Sequence, residues 1–181
     1  MLNISSNVTL NNPAFIHDTA FLYGKISMGE GTSVWPYVVM RAEMHEILIG
    51  ERTNIQDHVM IHVGYETPTV VGEDCSITHR VVLHGCTLGD RVLVGIGATI
   101  MDGVKIGDNS IVAGNSIVTE GSEFPKNSIL AGSPAKLIKT RDNSVANLMN
   151  AKFYNLNALN YSKGFDRFSE RDFAALKKTK I

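Results

Sequence analysis

Cysteine, proline and tryptophan are scarce in this chain, with two, five and one among 181 residues, and its charges nearly cancel at a formal net of −1. Two cysteines, Cys75 and Cys86, cannot build the disulfide framework that staples small secreted domains; they read as reduced, half-buried thiols of a cytoplasmic protein. With Lys and Arg numbering 17 against 18 Asp and Glu, no basic excess marks a nucleic-acid or anionic-membrane surface. No apolar run approaches the length that crosses a bilayer. The stretch Met1 to Pro13 lacks a basic region followed by an apolar one, so no secretory signal is read there. The length suits a single domain with its own core.

What the chain has is a period. Steps of six from Ile4 reach Leu10, Ile16, Leu22, Met28, Val34 and Met40. Further runs are Ile49, Ile55, Ile61, then Val71, Ile77, Leu83, then Leu88, Val94, Ile100, Ile106, Val112, Val118, Phe124 and Leu130. All 21 positions are apolar in a chain that is 44% hydrophobic, which loosely alternating short strands would not produce. A six-residue period sustained over more than 120 residues is the mark of a solenoid. Each hexad is a strand and a turn, three hexads close a triangular coil, and coils stack because none buries its apolar corner alone. Strands are expected from about residue 4 to 135. Gly29, Gly50, Gly72, Gly89 and Gly107 follow core residues where the backbone is expected to turn tightly.

The phase slips at three places. Three residues exceed a hexad between Met40 and Ile49, four exceed it between Ile61 and Val71, and one is missing between Leu83 and Leu88. Extra residues extrude from a solenoid without disturbing its core, so residues 42–47 and 64–69 are expected as loops beside the middle coils. The β-helix thus occupies 1–140 and a helical extension of the same domain 141–181. In that extension Val145, Leu148, Met149, Phe153, Leu156 and Leu159 recur at helical spacing from Asp142 to Tyr161, predicting a helix laid along the solenoid. Ser169 and Asp172 resemble a capping box opening a second short helix toward Lys178.

Register sorts the six histidines. His62 follows Ile61 and His84 follows Leu83, so both hold one address in consecutive coils, with strands about 4.8 Å apart. Residues after inward-facing positions point outward, so the two rings share an outer face and can converge on one ion. His79, two places after Ile77, belongs to another face of the same coil. In a trimer of prisms about a three-fold axis, that face meets a neighbour. Asp57 lies directly below His79 and suits the role of acceptor for its second nitrogen; Arg41 lies below His62. His17 and His58 have no partner address and read as surface or loop residues. His45, on the first extrusion, reads as a solvated loop histidine, with proton shuttling as the alternative.

The segments Thr53-Asn54-Ile55-Gln56-Asp57 and Thr78-His79-Arg80-Val81-Val82-Leu83-His84-Gly85-Cys86-Thr87-Leu88-Gly89-Asp90 resemble the γ-carbonic anhydrase family. Ser33-Val34-Trp35 and Ala131-Gly132-Ser133-Pro134-Ala135-Lys136 do too, and the resemblance spans most of residues 10–160. It implies a mostly β fold, a left-handed parallel β-helix with a C-terminal helix packed along it, assembled as a homotrimer. It further implies metal ligands His62 and His84 from one subunit and His79 from the next, holding Zn²⁺, Fe²⁺ or Co²⁺. By the same resemblance Gln56 orients the attacking oxygen, Asp57 is its family neighbour, and Tyr154 is an aromatic near the metal. Arg41 and Glu43 stand where the family has Arg-Gly-Asp, but here Ala42 replaces the glycine and the acid is one methylene longer. The implied reaction is reversible hydration of CO₂ to bicarbonate, slowed if proton transfer rests on His45, Glu43 or Glu46 alone. The alternatives are a metal-dependent thioesterase or acyl hydrolase, a hexapeptide acyltransferase with a lone catalytic histidine, and a non-catalytic scaffold.

Overall fold

Apolar side chains six apart can share one interior only if the chain turns through a third of a circle per hexad, and that is how it runs. A computed structural model of the chain describes residues 3–172 and 174. Short parallel strands wind into a left-handed β-helix of about 7 turns, followed by the helix Ser144–Tyr161. Of the 21 periodic positions, 17 are buried; the other four, Ile4, Leu10, Ile16 and Phe124, pack partly buried against the core near its two ends. The coil register is the one the period predicts: Ile49 pairs with Val71, Ile55 with Ile77 and Ile61 with Leu83.

One face is an eight-stranded sheet. The other two faces join as an eleven-stranded sheet, because Phe21–Met28 and Val39–Ile49 run unbroken around a corner. The first extrusion is therefore a bulge inside a continuous strand and not a separate loop. Gly24 pairs with Ala42 and Lys25 with Glu46, so Glu43, Met44 and His45 are the three residues left over. The second extrusion is a true loop that re-enters the sheet at Thr69.

Two expectations about small residues change. Gly29, Gly50, Gly72, Gly89 and Gly107 are not in left-handed conformation. Their reason is close stacking: a Cβ on Gly50 would lie 2.5 Å from the backbone carbon of Gly72 in the next coil. The left-handed turn falls two residues later, on Gly31, Arg52, Asp74, Arg91 and Asn109. Cys75 and Cys86 are free but completely buried, not half-buried, since each fills a position facing the core.

The strands continue past 135 into Ala135–Thr140, which folds back antiparallel on Ser128–Gly132. Then comes the helix, and its buried face differs from the expected one. Asn147, Ala151 and Ala158 are buried, whereas Val145 and Leu159 are exposed. Docking is by small residues and amides. Asn147 Nδ2 donates to the carbonyls of Arg91 (2.7 Å) and Ser110 (3.1 Å), Asn155 Nδ2 to Gly31 (3.0 Å), and Ser76 Oγ to Asn150 Oδ1 (2.8 Å). Coil corners present backbone carbonyls rather than apolar side chains, so a helix lying across them satisfies acceptors. Trp35, with its ring centroid 5.1 Å from Tyr161 and 5.9 Å from Tyr154, anchors the far half. Ser169 and Asp172 do form the reciprocal cap, Ser169 N and Oγ each donating to Asp172 Oδ2 at 2.7 Å. The remainder toward Lys178 lies outside the described residues.

Candidate metal centre

The stacking that pairs Ile61 with Leu83 also pairs His62 with His84. Their rings tilt toward each other with centroids 5.0 Å apart, and His62 Nδ1 lies 3.0 Å from His84 Nε2. Each ring has a carboxylate on its other nitrogen. Glu43 Oε2 is 3.0 Å from His62 Nε2, and Asp102 reaches His84 Nδ1 with both oxygens, at 2.8 and 2.9 Å. Ionised carboxylates only accept. The row Glu43–His62–His84–Asp102 thus needs three ring protons, one more than two neutral imidazoles carry. A cation between the facing nitrogens supplies the same positive charge in place of the shared proton. By this donor chemistry the pair fits a metal ion.

Glu43 comes from the bulge and also pairs with Arg41, which is registered beside His62. Partial burial pushes the Glu43 carboxyl up, but its own backbone amide, the His62 ring and the Arg41 charge together hold it below the usual carboxylate range. A cleft of about 380 Å³ opens over the histidine pair, lined by Arg41, Glu43, Met44, Val63 and Tyr65 among others. His45 turns away from it: its Nε2 lies 3.1 Å from the Tyr65 carbonyl, tying the bulge to the second extrusion.

His79 lies on a different face, as its register requires. Its Nδ1 is 2.9 Å from Asp57 Oδ2, which leaves Nε2 available. Gln56 is buried beside Asp57; its Nε2 donates to Asn54 Oδ1 at 2.9 Å, while its buried Oε1 has no partner. Tyr154 is close enough to Asp57 to feel its charge, and its phenol is raised above its ordinary value by desolvation first and by Asp57 second. One chain therefore carries two separate clusters, Arg41–Glu43–His62–His84 and Gln56–Asp57–His79–Tyr154. Among the described residues, no group of three or more metal-ligating side chains forms within one chain. His17 bonds Thr19 (2.9 Å) and His58 stacks on Tyr37 (5.1 Å), so neither joins the site. Asp102 was not among the residues singled out from the sequence. The signal was available, since Asp102 sits two places after Ile100, which stacks on Leu83.

A family model, the bacterial transferase hexapeptide (six repeats), matches residues 85–120. A hexapeptide transferase family protein from Anaplasma phagocytophilum, known from its crystal structure, superposes with a TM-score of 0.77 at 30% identity, over 87% of this chain and 92% of that one. Gamma carbonic anhydrase 1, mitochondrial, of Arabidopsis thaliana is 36% identical over 99 residues. The chain belongs to the hexapeptide-repeat family, and over about half of its length it is similar to gamma carbonic anhydrases. Protein YrdA of Escherichia coli (strain K12) is 42% identical over 94 residues. The matched stretches cover 48% and 51% of this chain, but only 51% of YrdA and 36% of the Arabidopsis protein.

Proposed function

We propose that this chain is a metal-dependent γ-type carbonic anhydrase, hydrating CO₂ reversibly at sites shared between the subunits of a homotrimer. The observation that carries the reading is the division of the donors. His62 and His84 face each other at 3.0 Å on one face, and His79 waits on another with Nε2 unpaired. A three-fold assembly lets His79 of the partner subunit complete the set. Bound there, Zn²⁺, Fe²⁺ or Co²⁺ supplies a water acidified to a pKa of about 7. Asp57 holds the His79 ring by its Nδ1–H. Gln56 offers Oε1, a buried acceptor with nothing to accept, to the hydroxyl of the attacking oxygen and so fixes its lone pair toward carbon. Arg41 gives a positive charge at the rim for the bicarbonate that forms. Glu43 takes up the released proton at Oε2 and passes it to solvent, where half of its side chain lies. Tyr154 closes the Asp57 side against water. Two buried, unpaired thiols fit a reducing cytoplasm.

A second reading keeps the metal and changes the substrate to an ester or thioester. It is favoured by the volume and apolar lining of the cleft, where Met44, Val63 and Tyr65 flank the histidines. A hexapeptide acyltransferase using one histidine leaves the paired rings and the unpaired Nε2 without a role.

The test is metal analysis of anaerobically purified protein together with stopped-flow CO₂ hydration and the assembly mass. Metal near one per chain in a trimer, with hydration lost in His84→Ala, is the expected result. Metal with ester cleavage but no hydration moves the assignment to the second reading, and absence of metal rejects both.

A further inference from the structure

We propose that Asp102 is the positioning residue of His84, and that the glycines at 64 and 85 are there to admit its carboxylate. This rests on the reading of His84 as a metal ligand. Asp102 comes from the coil above, where Ile100 stacks on Leu83. Both its oxygens lie within 2.9 Å of His84 Nδ1. As an acceptor it places the ring proton on Nδ1, leaving the Nε2 lone pair directed at His62 Nδ1, 3.0 Å away. Asp57 does the same to His79 from an adjacent coil.

A surface aspartate beside a histidine is common, but this one lies in a built recess. A Cβ on Gly64 would come 2.2 Å from Asp102 Oδ1 and 2.2 Å from Thr67 Oγ1; a Cβ on Gly85 would come 2.3 Å from each. No side chain fits at either position without displacing the carboxylate or the hydroxyl. Gly64 belongs to the second extrusion, and Gly64 N–H donates to the Thr67 carbonyl at 2.9 Å, which folds that segment back over Asp102. Gly85 occupies the one-residue phase slip and takes a left-handed φ of +54°. Two of the three departures from the six-residue period, the second extrusion and the one-residue slip, therefore meet at this carboxylate.

Histidine ¹H–¹⁵N correlation spectra of the metal-free protein, followed by titration with Zn²⁺, test this. The parent is expected to show His84 as the Nδ1–H tautomer. Asp102→Ala should give a tautomer mixture at His84 and a Zn²⁺ Kd weakened by about 10–100-fold. Asp102→Asn, which keeps an acceptor oxygen, should restore most of the tautomer preference. Gly64→Ala, with the aspartate still in the chain, should reproduce the Asp102→Ala spectrum at His84; it also serves if Asp102→Ala does not fold. A His84 tautomer unchanged in these variants, with Kd within about twofold of the parent, overturns the proposal. A parent that takes up no Zn²⁺, while its tautomer responds as expected, removes the metal reading and leaves the positioning role standing.

Discussion

At the scale of single residues, polar atoms without partners say more than those that have them. Gln56 is buried with one end of its amide bonded to Asn54 and the other end unused. Leaving a buried acceptor unpaired costs about 1–3 kcal/mol, so its retention calls for a ligand. Gln56→Leu should lower CO₂ hydration by about 10–100-fold, the equivalent of one lost hydrogen bond to a charged group. Its effect on stability should stay within about 1 kcal/mol, because Asn54 Oδ1 loses its donor while the unpaired Oε1 is removed. Stopped-flow hydration and urea unfolding measure the two effects separately. The cysteines make a contrary case. Burial pushes both thiols up to about 12 from an ordinary 9.0. An unfolded chain releases their protons from about pH 9 upward while the folded chain holds them. Their contribution to stability is therefore complete below pH 9 and declines as pH rises toward 12. Unfolding midpoints across pH 8 to 11 should fall, and fall less steeply in a Cys75→Ala, Cys86→Ala protein; equal slopes would contradict this.

At the scale of elements, what the sequence disclosed depended on the kind of signal. A period of six is set by apolar side chains that must face inward, and it reports core register directly; the pairing of His62 with His84 came with it. The helix face did not report itself, because its contacts are amides on carbonyls and small residues against a sheet. Those leave no apolar stripe, and the stripe that does exist, Val145 to Leu159, is half-buried in its middle and exposed at its two ends. Hence Ala151→Leu should cost about 1–3 kcal/mol by overpacking, while Val145→Ser should stay within about 0.5 kcal/mol, both read by denaturant melts. Similarly, the stacking glycines looked like turn residues because composition cannot separate a left-handed φ from a close approach. Gly50→Ala, with its Cβ 2.5 Å from the next backbone, should lower the thermal midpoint by several degrees, consistent with a loss of about 1–3 kcal/mol. Asp102 was missed for a third reason: its partner lies across a phase slip, so the register that places it two residues after Ile100, opposite Leu83, has to be carried through the missing residue.

At the scale of the whole molecule, the proposed function requires one site to be divided between two chains. Everything within a chain is preset: paired rings on one face, a single ring on another, and a carboxylate on each outer nitrogen. What a single chain lacks is convergence. The most direct measurement is subunit complementation. His79→Ala and His84→Ala proteins, each expected to be inactive, are unfolded together in equal amounts and refolded as mixed assemblies. If His62 and His84 of one chain work with His79 of the partner subunit, each mixed trimer contains one intact site, and metal content and CO₂ hydration return to about one quarter of the parent's values. Mixed trimers that form, as seen by mass, but recover no metal and no hydration would contradict the shared site.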